Sequence, residues 1–321
     1  MPKANCYTRA VPLVRYMKML SRIAIALSLG VVLAGVSTTN LVADTQSDVR
    51  NSLSPVELVR AMVANEVGAA NQDSMKHMWR DRKKTPQGSQ TRIYVETRDG
   101  MVGMTVAYND KPLSPQQLQD EEGRLAGLAS NSEQLKRKQR EQKEETDRTI
   151  RIVRALPEAF LFEHDGTEAG TPIVGGEGKR LIRLKFRPNP EYRPPSHVED
   201  VLVGMAGVIL IDPDSRRIAG IDGTLFREVS FGWGILGHLN KGGHFLVDQI
   251  GVGEGCWEVS RMALTFNGKI LFFKNIAIKS DEIFSNFRRV PPDTTFAQGV
   301  EMLKAERARL AQGGAETAKA E

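Results

Sequence analysis

Acidic residues are missing from the first 43 positions, which hold Lys3, Arg9, Arg15, Lys18 and Arg22. An apolar run, IAIALSLGVVLAGV, follows at residues 23–36. It falls short of the ~20 residues that cross a bilayer comfortably. A basic start, a short apolar stretch and small residues after it describe a secretory signal peptide rather than an anchor. Leu41-Val42-Ala43 ahead of Asp44 is the expected cleavage point, with Ser37 or Thr38 as alternatives and Met17 as an alternative start. No cysteine follows the apolar run, which argues against a lipid-anchored N-terminus. The expected location is the periplasm, with no transmembrane segment left after cleavage.

Net charge is missing once the leader is set aside. Of 44 basic and 39 acidic residues, five basic and no acidic ones belong to the leader, which leaves 39 of each. A nucleic-acid binder is expected to carry a net basic domain, so nucleic acid is not an expected partner. Even Lys136-Arg137-Lys138 is cancelled by Glu141, Glu144, Glu145 and Asp147, as on a solvated helix. Cysteine is scarce as well: Cys6 leaves with the leader and Cys256 remains. Residues 44–321 are enough for stability without disulfides. Beside Trp257 in a strand-like run, Cys256 reads as a buried apolar residue without an identifiable histidine partner.

Catalytic signatures are missing too. There is no nucleophile elbow and no H-E-x-x-H. FGWGILGHLNKGGHFLVDQ, residues 231–249, does contain G-x-G-x-x-G at Gly232, Gly234 and Gly237. A dinucleotide site needs a helix opening directly after those glycines. Here more glycines follow, and then a strand-like run from His244. Lys241 precedes Gly242 and Gly243, so the phosphate-loop pattern fails as well. His238 and His244 are six apart with no acid or cysteine between them, and Asp248 lies four beyond His244 on the same strand face. That trio is the nearest approach to a zinc site or a hydrolytic pair. No catalytic residue, metal or cofactor is assigned, and the segment reads as a glycine-flanked turn with Trp233 packed close by.

What is present is punctuation. Ser54-Pro55-Val56-Glu57 opens a helix with a capping box and Pro at its first position. Residues 79–109 alternate as strands, with a tight turn at Arg98-Asp99-Gly100. Residues 113–159 are helical, with capping boxes at Ser114–Gln117 and Ser130–Glu133 and a break expected near Ser130. One apolar edge runs through Leu135, Ile150 and Val153. From Phe160 the period becomes two. The proline-stiffened RPNPEYRPPS, residues 187–196, leads into a short helix capped at Ser196. Strands are expected at 205–211, 217–231, 244–252, 256–266 and 270–279, and a last helix at 296–310 before a disordered tail, 311–321.

Asn267-Gly268 reads as a two-residue hairpin turn. It places Met262 opposite Phe273, Leu264 opposite Leu271, and Trp257 opposite Ile278. Both faces of such a hairpin are apolar, so both need cover. The expected fold is α+β in one domain, residues 44–310, with a curved, mostly antiparallel sheet and grouped helices.

The order of elements, together with RPNPEYRPPS, GMAGVILIDPDSRRIAGIDGTL and VSFGWGILGHLNKGGHF, resembles secreted relatives of the periplasmic lipoprotein carrier (LolA/LolB-like) superfamily across residues 54–290. The charged helix at 133–154 and the C-terminal tail depart from it. The resemblance implies an incomplete β-barrel, helices packed on its concave face, and a cavity for acyl chains. On that reading Trp233, Met262, Leu264, Leu271 and Phe273 line the cavity. The protein is then a monomeric, non-enzymatic binder of lipid or lipoprotein acyl chains. The alternative is an envelope protein whose barrel is filled by its own side chains.

Overall fold

The computed structural model describes residues 53–71, 75–231, 237–270 and 274–317. The leader, Gly234, Trp233, Leu271 and Phe273 lie outside the described residues. The chain folds as an α+β protein around one open, curved antiparallel sheet of 13 strands.

The first helix, α1 (Pro55–Asn71), starts as its capping box dictates: Glu57 N–H donates to Ser54 Oγ, and Ser54 N–H donates to the Glu57 carboxylate. Strands β1 (Lys76–Thr85), β2 (Gly88–Thr97), β3 (Gly100–Tyr108) and β4 (Lys111–Pro112) form a meander. The β2–β3 turn is at Arg98-Asp99, and Gly100 takes φ +116° there, a conformation that favours glycine. Helices α2 (Pro115–Ser130) and α3 (Ser132–Ala159) follow. The break between them is capped by Asn131, whose Oδ1 accepts from Gln134 N–H at 3.0 Å. Ser130, the expected cap, instead donates back to Gly127 O.

The second meander is β5 (Phe160–Ala169), β6 (Arg180–Pro188), β7 (Met205–Asp212) and β8 (Arg217–Leu225). A single 3-10 turn, Asp200–Gly204, precedes β7. Short strands β9 (Val229–Phe231) and β10 (Gly237–Leu239) lead to β11 (His244–Gly253), β12 (Cys256–Ile270) and β13 (Lys274–Val290). The last helix, α4 (Phe296–Thr317), runs past the expected end at Leu310 and into the segment expected to be a disordered tail.

Across the sheet the order is β4-β3-β2-β1-β13-β12-β11-β8-β7-β6-β5, with β9 and β10 off this path. The two edge strands, β4 and β5, are therefore joined by α2 and α3. With 28 residues, α3 is ~42 Å long. Eleven strands laid flat would span ~48 Å. A helix of that length touching both β3 and β5 straps the open side of the curved sheet. Beneath it α1 packs on α3, β5 and β8. The main core fills this inner side, from Leu58, Met62 and Val153 on the helices to Tyr94, Ile209, Val247, Met262, Leu264 and Phe266 on the strands.

The outer face is covered at one end. Ile93, Val95, Val102 and Met104 face away from Tyr94, and they pack with Leu125 of α2 and Phe296, Val300 and Leu303 of α4. Both faces are thus covered there, by different helices.

The expected Asn267-Gly268 hairpin is corrected. β12 runs straight through both residues, and Ile270 pairs with Lys274. Leu264 therefore stands opposite Ser280, and Met262 opposite Glu282. Gly268 is small for another reason. A Cβ there would meet His238 O of β10 at 2.1 Å, so glycine permits the approach of β10. The glycines after residue 236 open no helix: β10 passes through a turn at Lys241-Gly242 into β11.

Candidate functional site

Met262 and Leu264, expected to line a cavity, are 1% and 4% exposed and sit in the main core. The histidine and acid trio also separates. His244 Nε2 lies 2.7 Å from Asp222 Oδ1 on β8. Asp248 is buried beside Arg261, and burial pushes its carboxyl up to about 6. His238 lies 3.9 Å from Glu228. Among the described residues no group of three or more His, Cys, Asp or Glu could hold a metal ion. Cys256, expected as a buried residue, is buried.

Another histidine, His77, is buried in β1 with Nδ1 3.0 Å from Glu258 Oε1 on β12. Burial raises the Glu258 pKa. Burial works against charge on His77, but Glu258 outweighs it and raises that pKa too. The two can share one proton. Their side chains are 4% and 7% exposed, so they serve the interior rather than a substrate.

Among the described residues, two of the concavities that open to solvent are large enough to consider as sites. The first, 840 Å3, lies between the inner face of β2–β3 and the helices α2 and α3. Its floor includes Arg92, Tyr94 and Thr105, and its helical wall includes Glu121, Arg124, Gln139 and Gln142. Four side chains of that wall serve the backbone of β3 and its turn. Gln139 donates to Asp99 O, Met101 N–H to Gln142 Oε1, Arg124 to Gly103 O, and Thr105 N–H to Glu121 Oε1. An open strand edge invites pairing with another chain. Here two helices seal it with side chains, so the crevice walls are occupied by structural work.

The second concavity is an apolar groove of 780 Å3. Its outer wall is the proline loop. β6 ends at Pro188, which has no N–H to continue a ladder. Asn189 then shapes a turn: Asn189 Oδ1 accepts from Glu191 N–H, and Tyr192 N–H donates to Asn189 O. Asn189 also anchors the turn to the end of α3, donating through Nδ2 to Glu158 O. The loop's far end is pinned where Arg151 of α3 donates to Ser196 Oγ and Glu199. Prolines 188, 190, 194 and 195 fix φ along this stretch, so little order remains to be imposed by a ligand.

The inner wall is Val203 of the 3-10 turn, Ala206 of β7, and Phe226-Arg227 between β8 and β9. Phe226 N–H donates to Gly204 O, and Arg227 donates to Val203 O, which joins the two segments. The Arg227 guanidinium carbon lies 5.7 Å from the Phe226 ring centre. Phe226 is 45% exposed at the rim. The Tyr192 hydroxyl is buried, and its pKa is raised by burial and by Glu199 and Asp200. The groove is an apolar trough whose lining includes three arginines, Arg187, Arg193 and Arg227.

Met262 and Leu264 are not among the residues that line this groove; Trp233, Leu271 and Phe273 lie outside the described residues. RPNPEYRPPS was visible in the sequence as a stiff loop. Of its partners across the groove, Val203 and Ala206 follow closely in the chain while Phe226-Arg227 stand further on, with no local pattern to join them to it.

No family model matches the chain, and no curated protein matches it. Among solved structures, the crystal structure of a DUF1329 family protein from Desulfovibrio piger is similar at 9% identity, covering 74% of this chain and 94% of that one, with a TM-score of 0.25. A likeness at that score carries no argument about this chain.

Proposed function

We propose that the protein is exported to the periplasm, loses its leader near Asp44, and acts there as a monomeric, non-enzymatic binder of an apolar ligand such as a lipid or lipoprotein acyl chain. The apolar groove carries this reading. A trough of 780 Å3 is of the size that small-molecule sites have. Its wall is stiffened by prolines, and a large aromatic ring, Phe226, stands half-exposed at its rim. The ligand is thus received beside the proline loop and not at Met262 and Leu264. The basic leader and short apolar run support export, and no helix among the described residues is long and apolar enough to cross a membrane.

The filled core of the inner face favours a second reading, an envelope protein without a ligand. A fluorescent fatty-acid titration separates the two. The wild-type chain should bind the probe saturably. Phe226→Ser should weaken binding with little change in stability, and Ala206→Trp should block it. Absence of saturable binding by wild type leaves the second reading.

A further inference from the structure

We infer that the ligand of the apolar groove is a single-chain amphiphile with an anionic head, a carboxylate or phosphate monoester, held by Arg187, Arg193 and Arg227. This rests on the binding reading above and adds the chemistry of the head group.

The observation is an imbalance of charge. The chain outside the leader is formally neutral, and its arginines are mostly paired. Arg217 meets Glu66, Arg183 meets Asp165, Arg261 meets Asp281, and Arg288 meets Glu306. The groove is different. Three arginines line it and no acidic residue does. Glu191 and Glu228 adjoin the lining segments in sequence but form no part of the wall. Among the described residues, none of the three arginines has a carboxylate partner within ion-pair distance.

Two of the guanidiniums are also held in place. Arg193 donates from one terminal nitrogen to Pro190 O and Tyr192 O at 2.8 and 3.2 Å. Arg227 donates to Val203 O at 2.7 Å and lies over the Phe226 ring. A guanidinium has five N–H donors in a planar fork. Backbone carbonyls use few of them and supply no full negative charge. The remaining donors match a carboxylate or phosphate in paired hydrogen bonds. The prolines, Val203 and Phe226 meanwhile suit a hydrocarbon chain. The occupant is one molecule rather than a bilayer surface, because the apolar residues face one another across a trough.

The test uses the mature chain and four probes of one chain length below their micellar concentrations: laurate, lauryl phosphate, lauryl alcohol and lauryl trimethylammonium. Calorimetry should show both anions binding at least about tenfold tighter than the alcohol, with the ammonium weakest. Arg193→Gln and Arg227→Gln should each weaken the anions about tenfold more than they weaken the alcohol, and reduce the salt dependence of anion binding. Arg227→Lys should recover only part of the loss, since charge returns without the fork. Thermal unfolding of each variant checks that it is folded. Equal binding of all four probes would overturn the anionic assignment while leaving an apolar site intact. Binding of none would remove both. Tight binding to phosphatidylglycerol vesicles that laurate does not displace would replace the single molecule with a membrane surface and so overturn the inference.

Discussion

Glu66 and Arg217, 151 residues apart, meet in a two-pronged ion pair: Arg217 Nε and a terminal nitrogen donate to the two carboxylate oxygens at 2.8 and 2.9 Å. Ile218 N–H donates to the same carboxylate at 2.9 Å. The Arg217 and Glu66 side chains are 5% and 11% exposed, so this pair fixes α1 to β8 inside the curved sheet. Breaking one partner of a buried pair leaves the other charge uncompensated and costs ~3–5 kcal/mol. Arg217→Met should show a loss of that order in urea unfolding. Glu66→Leu combined with Arg217→Met should lose less than Arg217→Met alone. A loss within experimental error for Arg217→Met would contradict this role.

The same buried geometry sets a pH dependence at Asp248. Its carboxyl is raised from 3.8 to about 6, first by burial, against the pull of Arg261 and with help from Asp222 and Glu168. The folded state therefore holds a proton that the unfolded chain has already released between those two values. Stability contributed by this group falls as pH rises from about 4 to about 6 and is level above. Asp248→Asn should match wild type near pH 3.5 and exceed it by roughly 2–3 kcal/mol near pH 7.5. Equal differences at both pH values would show that Asp248 titrates normally.

Gly268 is the place where a strong local signal misled. Asn-Gly between apolar runs is a hairpin signal because glycine takes positive φ readily. Here glycine serves close approach between strands, and only the tertiary position of β10 reveals it. Gly268→Ala should force β10 away from β12 and destabilise by ~1–3 kcal/mol. An unchanged unfolding midpoint would restore the turn reading.

The sealed edge of β3 should be visible in exchange. Thr105 N–H donates to Glu121 at 2.6 Å, and Glu121 is also bound by Arg124. Glu121→Ala should speed hydrogen exchange at the Thr105 amide far more than at the central strand β12, and it should promote association through the exposed edge. Unchanged protection at Thr105 would mean the helix merely lies nearby.

Local chemistry was the legible part of the sequence. Ser54–Glu57 and Ser114–Gln117 cap helices as their spacing requires, and Asp99-Gly100 turns the chain between β2 and β3. At residues 130–131 two capping side chains competed, and Asn131 won. Alternation placed Met262 and Leu264 on one face of β12. Whether that face holds a void or a core depends on α1 and α3, which no strand pattern encodes. The groove was illegible for a like reason. Phe226-Arg227 is joined to Val203-Gly204, across from the proline loop, by the bond from Phe226 N–H to Gly204 O and the bond from the Arg227 side chain to Val203 O. Such long-range bonds to backbone carbonyls follow no local spacing in the sequence.

The central claim, that the groove holds an apolar ligand in the protein's own compartment, is tested most directly by native mass spectrometry of chain recovered from the periplasmic fraction. The expected spectrum shows a polypeptide beginning near Asp44 with an acyl-bearing adduct that is lost in Ala206→Trp. A ligand-free mass in wild type, or an adduct that Ala206→Trp retains, would contradict it.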